Sequence, residues 1–132
     1  MATPSLATKT LSDHYEALAP DGSEIRLLLK TQQASMVHCT LAPGRVSLPV
    51  RHQTVEELWY FISGEGEVWR KNDHQERVTP VRAGVSVSVL RDTPFQFRNT
   101  GGEPLCFIIA TMPPWPGPDE DAVEEKGNWE VK

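Results

Sequence analysis

His52 and Glu57 lie a few residues apart, and Glu57 heads the run Glu57-Leu58-Trp59-Tyr60-Phe61-Ile62. An imidazole changes charge near neutral pH without help from its surroundings. A carboxyl does so only where burial penalises its charged form. Alternate side chains of an extended segment share a face, so an inward Glu57 brings Trp59 and Phe61 inward with it. A carboxyl held among rings keeps its proton to higher pH and can serve as a general acid or base. By the same alternation Phe95 brings Phe97, with Gln96 on the opposite face. Arg98 follows directly; it is either solvated or a binder of an anionic substrate.

The remaining candidates read more plainly. His14 and His74 lie in polar stretches and read as surface residues. His38 alternates against Val37, Cys39 and Leu41, which sets it on the face those three leave. Cys39 and Cys106 each sit in an apolar run, and two cysteines are too few for a disulfide framework, so both read as buried thiols.

Short strands between turns must position these groups. The spacing predicts strands over 24–30, 34–41, 57–62, 67–71, 75–81, 85–89, 95–98 and 105–112. Pro20-Asp21-Gly22-Ser23, Ala42-Pro43-Gly44-Arg45, Asn72-Asp73-His74 and Asn99-Thr100-Gly101-Gly102 supply turns. About nine such strands without an amphipathic helix between them imply a sandwich or barrel of antiparallel strands. The chain divides into an arm, 1–23, a barrel, 24–112, and a tail, 113–132. The tail opens with Pro113-Pro114-Trp115-Pro116-Gly117-Pro118 and carries five acids between Asp119 and Glu125, which reads as a solvated segment. Trp115 would close a pocket or cross to a neighbouring subunit, and Trp69 would pack at the barrel surface or a dimer contact.

The 132 residues suffice for one domain. A net charge of -5 with scattered basic residues argues against nucleic acid and anionic membrane as partners. The sequence shows neither a membrane-spanning apolar run nor a secretory pattern, and a cytoplasmic location is the expectation.

Two segments resemble the paired motifs of the cupin superfamily. The first family motif is glycine, five residues, histidine, one residue, histidine, three or four residues, glutamate, six residues, glycine. Gly44, His52, Glu57 and Gly64 take their places in it, and Val50 stands where the first histidine belongs. In the second motif Gly84 opens and Asn99 closes, while Leu90, Asp92 and Phe95 replace its proline, glycine and histidine. The resemblance implies an all-β, antiparallel double-stranded β-helix (jelly-roll) barrel and a homodimer paired through an edge strand.

Metal-binding cupins offer three imidazoles and one carboxylate to a divalent ion. With Val50 and Phe95 in two of the four places, only His52 and Glu57 remain as ligands, and two rarely suffice. No cofactor is therefore expected, and a divalent metal is disfavoured. The mouth of such a barrel would hold Glu57 and His52 as acid and base, with Trp59, Phe61, Phe95, Phe97, Val50 and Arg98 around a small-molecule ligand. Three functions stand open: a metal-independent isomerase, epimerase, cyclase or lyase acting on a small polar metabolite; a non-catalytic module that binds or senses a sugar-like molecule; and a metalloenzyme with an atypical ligand set. Against them stands a purely structural reading, in which His52 and Glu57 hydrogen-bond each other as relics and the rings are barrel core.

Overall fold

The computed structural model describes residues 6–118 and 121–132. Among these the chain forms eleven strands: β1 (Ala17–Leu18), β2 (Glu24–Lys30), β3 (Ser35–Leu41), β4 (Val50–His52), β5 (Glu56–Ser63), β6 (Glu65–Lys71), β7 (Glu76–Arg82), β8 (Ser86–Val89), β9 (Phe95–Asn99), β10 (Leu105–Met112) and β11 (Ala122–Glu124). They build one sheet in the order β1-β2-β3-β10-β5-β8 and a second in the order β11-β4-β9-β6-β7. Their pairings are antiparallel. Among the described residues no helix is long and apolar enough to cross a membrane.

The period of two that predicts the strands also makes the core. Along β10, Leu105, Phe107, Ile109 and Thr111 are buried while their neighbours are half-exposed. Trp59 and Phe61 of β5, Phe107 of β10, and Phe95 and Phe97 of β9 meet between the sheets. The Phe61 and Phe107 rings lie 4.5 Å apart, Trp59 and Phe107 4.8 Å, and Trp59 and Phe97 5.4 Å. Burying such a ring contributes roughly 1.5–3 kcal/mol each, and this cluster helps to hold the two sheets together.

Several motif residues do structural work. Asn99 donates to the carbonyls of Leu41 and Glu103 and accepts from the Gly101 amide, which fastens the turn between β9 and β10. At Gly64 the backbone has φ of 83°, and a Cβ there would lie 2.5 Å from the Pro104 carbonyl oxygen. Asp92, in the place of a motif glycine, itself takes φ of 61°. Aspartate is among the few residues that enter this region readily.

The main departure from expectation is the tail. Residues 113–118 and 121–132 fold back on the barrel instead of trailing into solvent; Asp119 and Glu120 of the acidic run lie outside the described residues. β11 pairs with β4, matching Ala122 to His52, Val123 to Arg51 and Glu124 to Val50. Lys132 and Val46 exchange backbone hydrogen bonds. Gln96, facing away from Phe95 as expected, donates to the carbonyls of Ser47 and Trp129 and accepts from the amides of Asn128 and Trp129. Both ends of its amide are thus used. Two of the acids that make the tail look solvated find partners far away in the chain: Glu125 pairs with Arg51 at 2.6 Å, and Asp121 is buried against Thr54, while Glu124 stays exposed. Composition of the tail alone cannot show those partners.

Candidate functional site

β4 and β5 bring His52 and Glu57 together at one end of the sandwich. Both point into the core, at 6% and 5% exposure. Their side chains face each other, His52 Nε2 to Glu57 Oε2, at 3.7 Å, an ion-pair distance longer than a hydrogen bond. Glu57 Oε1 accepts from the Trp59 indole at 3.0 Å, and Oε2 accepts from the Thr111 hydroxyl at 3.3 Å. The indole reaches back because residues two apart share a face; Thr111 is opposite Glu57 in the β10–β5 register. Burial pushes the Glu57 carboxyl above its ordinary proton affinity, and the neighbouring imidazole and donors only partly offset this.

Two further carboxylates complete the surroundings. Asp21, from the turn ahead of β2, is raised by burial of its carboxyl and accepts hydrogen bonds from the Ser23 amide and hydroxyl. Asp121, from the returning tail, lies behind His52, with Oδ2 3.4 Å from Nδ1. Sequence reasoning missed both. Asp21 hides in a turn motif and Asp121 in an acidic run, and only the fold carries them to His52.

A small cavity of about 20 Å³ is bounded by Asp21, His52, Glu57, Val50, Trp59, Phe95, Pro20 and Trp115. That is room for about one water. Trp115 is half-buried against the core, and its amide is held by the Ser35 hydroxyl at 2.8 Å. Trp115 lines the cavity.

Of the predicted site residues, Glu57, His52, Trp59, Phe95 and Val50 line this cavity. Phe61 and Phe97 stand behind it in the ring cluster. Arg98 is elsewhere: it forms an ion pair with Glu67 and lies over the Trp129 ring at 4.2 Å. It follows Phe97 on the opposite face of β9, so it meets the tail. Trp69 is buried and donates to Glu76 at 2.8 Å. His38 faces away from the core as expected, opposite Arg26 and Ile108; it is buried there and its Nδ1 has no hydrogen-bond partner. Cys39 is buried, its thiol pushed well up by burial, whereas Cys106 is only partly buried.

The metal implied by the resemblance needs converging nitrogen and oxygen donors, and the residues here do not fit it. Val50 and Phe95 are direct cross-strand partners, so hydrocarbon fills the corner where two imidazoles would meet. The Phe95 ring stacks on His52 at 5.6 Å. The second His52 nitrogen faces Asp121, on the side away from Glu57. Among the described residues, no group of three or more His, Cys, Asp or Glu side chains is arranged to hold an ion.

Comparison with known proteins agrees with this architecture. The model of a family described as a cupin domain matches residues 37–111. The uncharacterised protein MJ1618 of Methanocaldococcus jannaschii is 27% identical over 128 residues, spanning 90% of this chain and 99% of its own. A solved Klebsiella pneumoniae protein, described as an uncharacterised conserved protein with a double-stranded β-helix domain, superposes with a TM-score of 0.64 at 26% identity, covering 79% of this chain and 85% of that one. Oxalate decarboxylase from Bacillus subtilis gives a TM-score of 0.66 at 18% identity, over 84% of this chain but 28% of its own. That last likeness shows the fold alone.

Proposed function

We propose that this chain, which belongs to the cupin family, binds a small polar metabolite at the Glu57–His52 pair and moves a proton on it without a metal. The observation that carries the reading is a buried carboxyl of raised proton affinity, 3.7 Å from an imidazole, on the wall of an internal cavity. Two groups of this kind can divide acid and base roles near neutral pH. Isomerisation, epimerisation, cyclisation and elimination can all be run by such a pair without a Lewis acid.

The cavity as built holds about one water, so a metabolite enters only if its cover moves. Pro20 and Trp115 are wall residues outside the strands, and we take them as that cover. The test is solvent exchange. Sugars and small hydroxy and keto acids are incubated with the protein in D2O, and loss of a C–H proton signal is followed by NMR. Exchange that is present with the wild type and absent with Glu57→Gln supports the reading. A panel that binds, by ligand-observed NMR, without exchange in either protein turns the reading into a non-catalytic binding or sensing module. The bonds from Trp59 and Thr111 that fix the Glu57 carboxyl keep that second reading open, because they suit recognition as well as catalysis.

A homodimer belongs to the same proposal, through a sheet face instead of the edge strand that the resemblance implies. The outer face of the six-stranded sheet carries Met36, Leu58, Tyr60 and Ile62 at 45%, 52%, 52% and 42% exposure. Met36 and Leu58 flank Ala110 in register, so the patch is continuous across three strands. Apolar patches of this sort mark contacts between proteins. Light scattering should give twice the 14.8 kDa chain mass; a monomer at micromolar concentration would contradict it.

A further inference from the structure

We infer that Asp121 is the positioning residue for His52: it holds the Nδ1–H of the imidazole and thereby leaves the Nε2 lone pair facing Glu57 and the cavity. The inference rests on the acid–base reading for its purpose, but its geometry stands apart from it. His52 Nδ1 and Asp121 Oδ2 are both buried, both lack a hydrogen-bond partner, and lie 3.4 Å apart. Two orphaned polar atoms facing each other are costly unless they serve each other. A small rotation of either side chain closes the gap to a charge-assisted hydrogen bond.

The carboxylate has little freedom to do otherwise. Its Oδ1 accepts from the Thr54 amide at 2.9 Å and the Thr54 hydroxyl at 2.7 Å. Its main-chain carbonyl accepts from the Gln53 amide at 3.3 Å and the Gln53 side chain at 3.2 Å. With one oxygen and the backbone fastened, the other oxygen is aimed at His52. The β11–β4 register, which sets Ala122 opposite His52, brings the preceding residue into place.

The chemical consequence is a choice of tautomer. An ionised carboxylate only accepts hydrogen bonds, so the nitrogen facing it must carry the proton. In the neutral ring the other nitrogen is then bare. Nε2 becomes the base, and Glu57, whose proton affinity burial raises, the acid. In turnover the ring takes a proton at Nε2 while Asp121 steadies the resulting cation, and Glu57 gives up its own. Asp121 does not touch the reacting atoms. It acts through His52, and it arrives on the tail that also carries Trp115. Docking of the tail therefore completes both the base and the wall of the cavity.

The experiment reads the tautomer directly, through long-range 1H–15N correlation of the 15N-labelled full chain at a pH where the imidazole is neutral. Wild type is expected to show the Nδ1–H form. Asp121→Asn keeps an oxygen for Thr54 but turns an NH2 donor toward Nδ1, and should reverse the ring to the Nε2–H form. Asp121→Ala removes the acceptor without adding a donor, and should give a mixture. Nε2–H in the wild type, or an unchanged Nδ1–H form in both variants, would overturn the inference and show Asp121 to be a brace for Thr54 alone. Should either variant fail to fold, the wild-type spectrum and the other variant still decide. Deuterium exchange on the metabolite panel is scored separately. The expected tautomers without any exchange sink the proposed catalysis and leave the positioning role intact. Exchange by a wild type in the Nε2–H form does the reverse.

Discussion

Two neighbourhoods share the interior of this barrel. Trp59, Phe61, Phe95, Phe97 and Phe107 meet as rings at centroid distances of 4.5 to 6.2 Å, tilted or edge to face, and are nearly inaccessible to solvent. A few ångströms away His52, Glu57 and Asp121 are just as buried but stand 3.4 and 3.7 Å apart, with Nδ1 of His52 and Oδ2 of Asp121 left without partners. Rings need only shape to be satisfied; ionisable groups need partners at the right distance and angle. The first neighbourhood is settled by packing. The second holds groups that would gain from a ligand or a proton. A protein with only its own stability to serve would favour hydrocarbon there, as it already does at Val50 and Phe95.

That contrast can be broken most forcefully from the ring side. Phe107→Ala should cost about 3–5 kcal/mol, read as a lower urea midpoint with unchanged slope. Trp115→Ala lies on the boundary and should cost about 1–2 kcal/mol, less than a full deletion because the ring is half-exposed. Its sharper signature is faster hydrogen exchange of the Trp59 indole, whose partner Glu57 it helps to cover.

From the polar side the expected sign is opposite. Burial raises the proton affinity of Glu57 and Asp21, so the folded chain binds more protons than the unfolded chain once pH passes the ordinary carboxyl range. Their contribution to stability is present in full below that range and is lost as pH rises through their raised folded values. Glu57→Gln should therefore raise the neutral-pH melting temperature, by less than either ring deletion lowers it, and flatten stability against pH in mild acid. A fall in melting temperature at pH 7 would show that Glu57 is better compensated than its burial implies. Arg98→Ala should give the smallest change, about 0.5 kcal/mol, because its ion pair with Glu67 is partly solvated. Solvent exchange on metabolites should be unaffected by it.

Much of the framework was legible because period-two burial is written directly into the chain. The predicted strands 24–30 and 105–112 coincide with β2 and β10, and six others differ only at their ends. His52 and Glu57 could be found because the glycine spacing around them is intact. β1, β4 and β11 escaped, being two or three residues long and defined by their partners more than by their own pattern. The role of Asp121 escaped for the same reason. An aspartate in an acidic run looks solvated until a distant threonine amide and an imidazole are known to face it. Arg98 stood between two readings in the sequence because its partners, Glu67 and Trp129, are brought to it only by the fold.

The pairing of β11 with β4 carries one more implication. β4 is a three-residue strand, and without β11 it would form the rim of the five-stranded sheet, with free amides and carbonyls. Such rims recruit strands from other molecules and seed aggregation. Protease trimming near Pro118, or a fusion that strains the final residues, would uncover that template, so the handling and solubility of the protein depend on its last dozen or so residues.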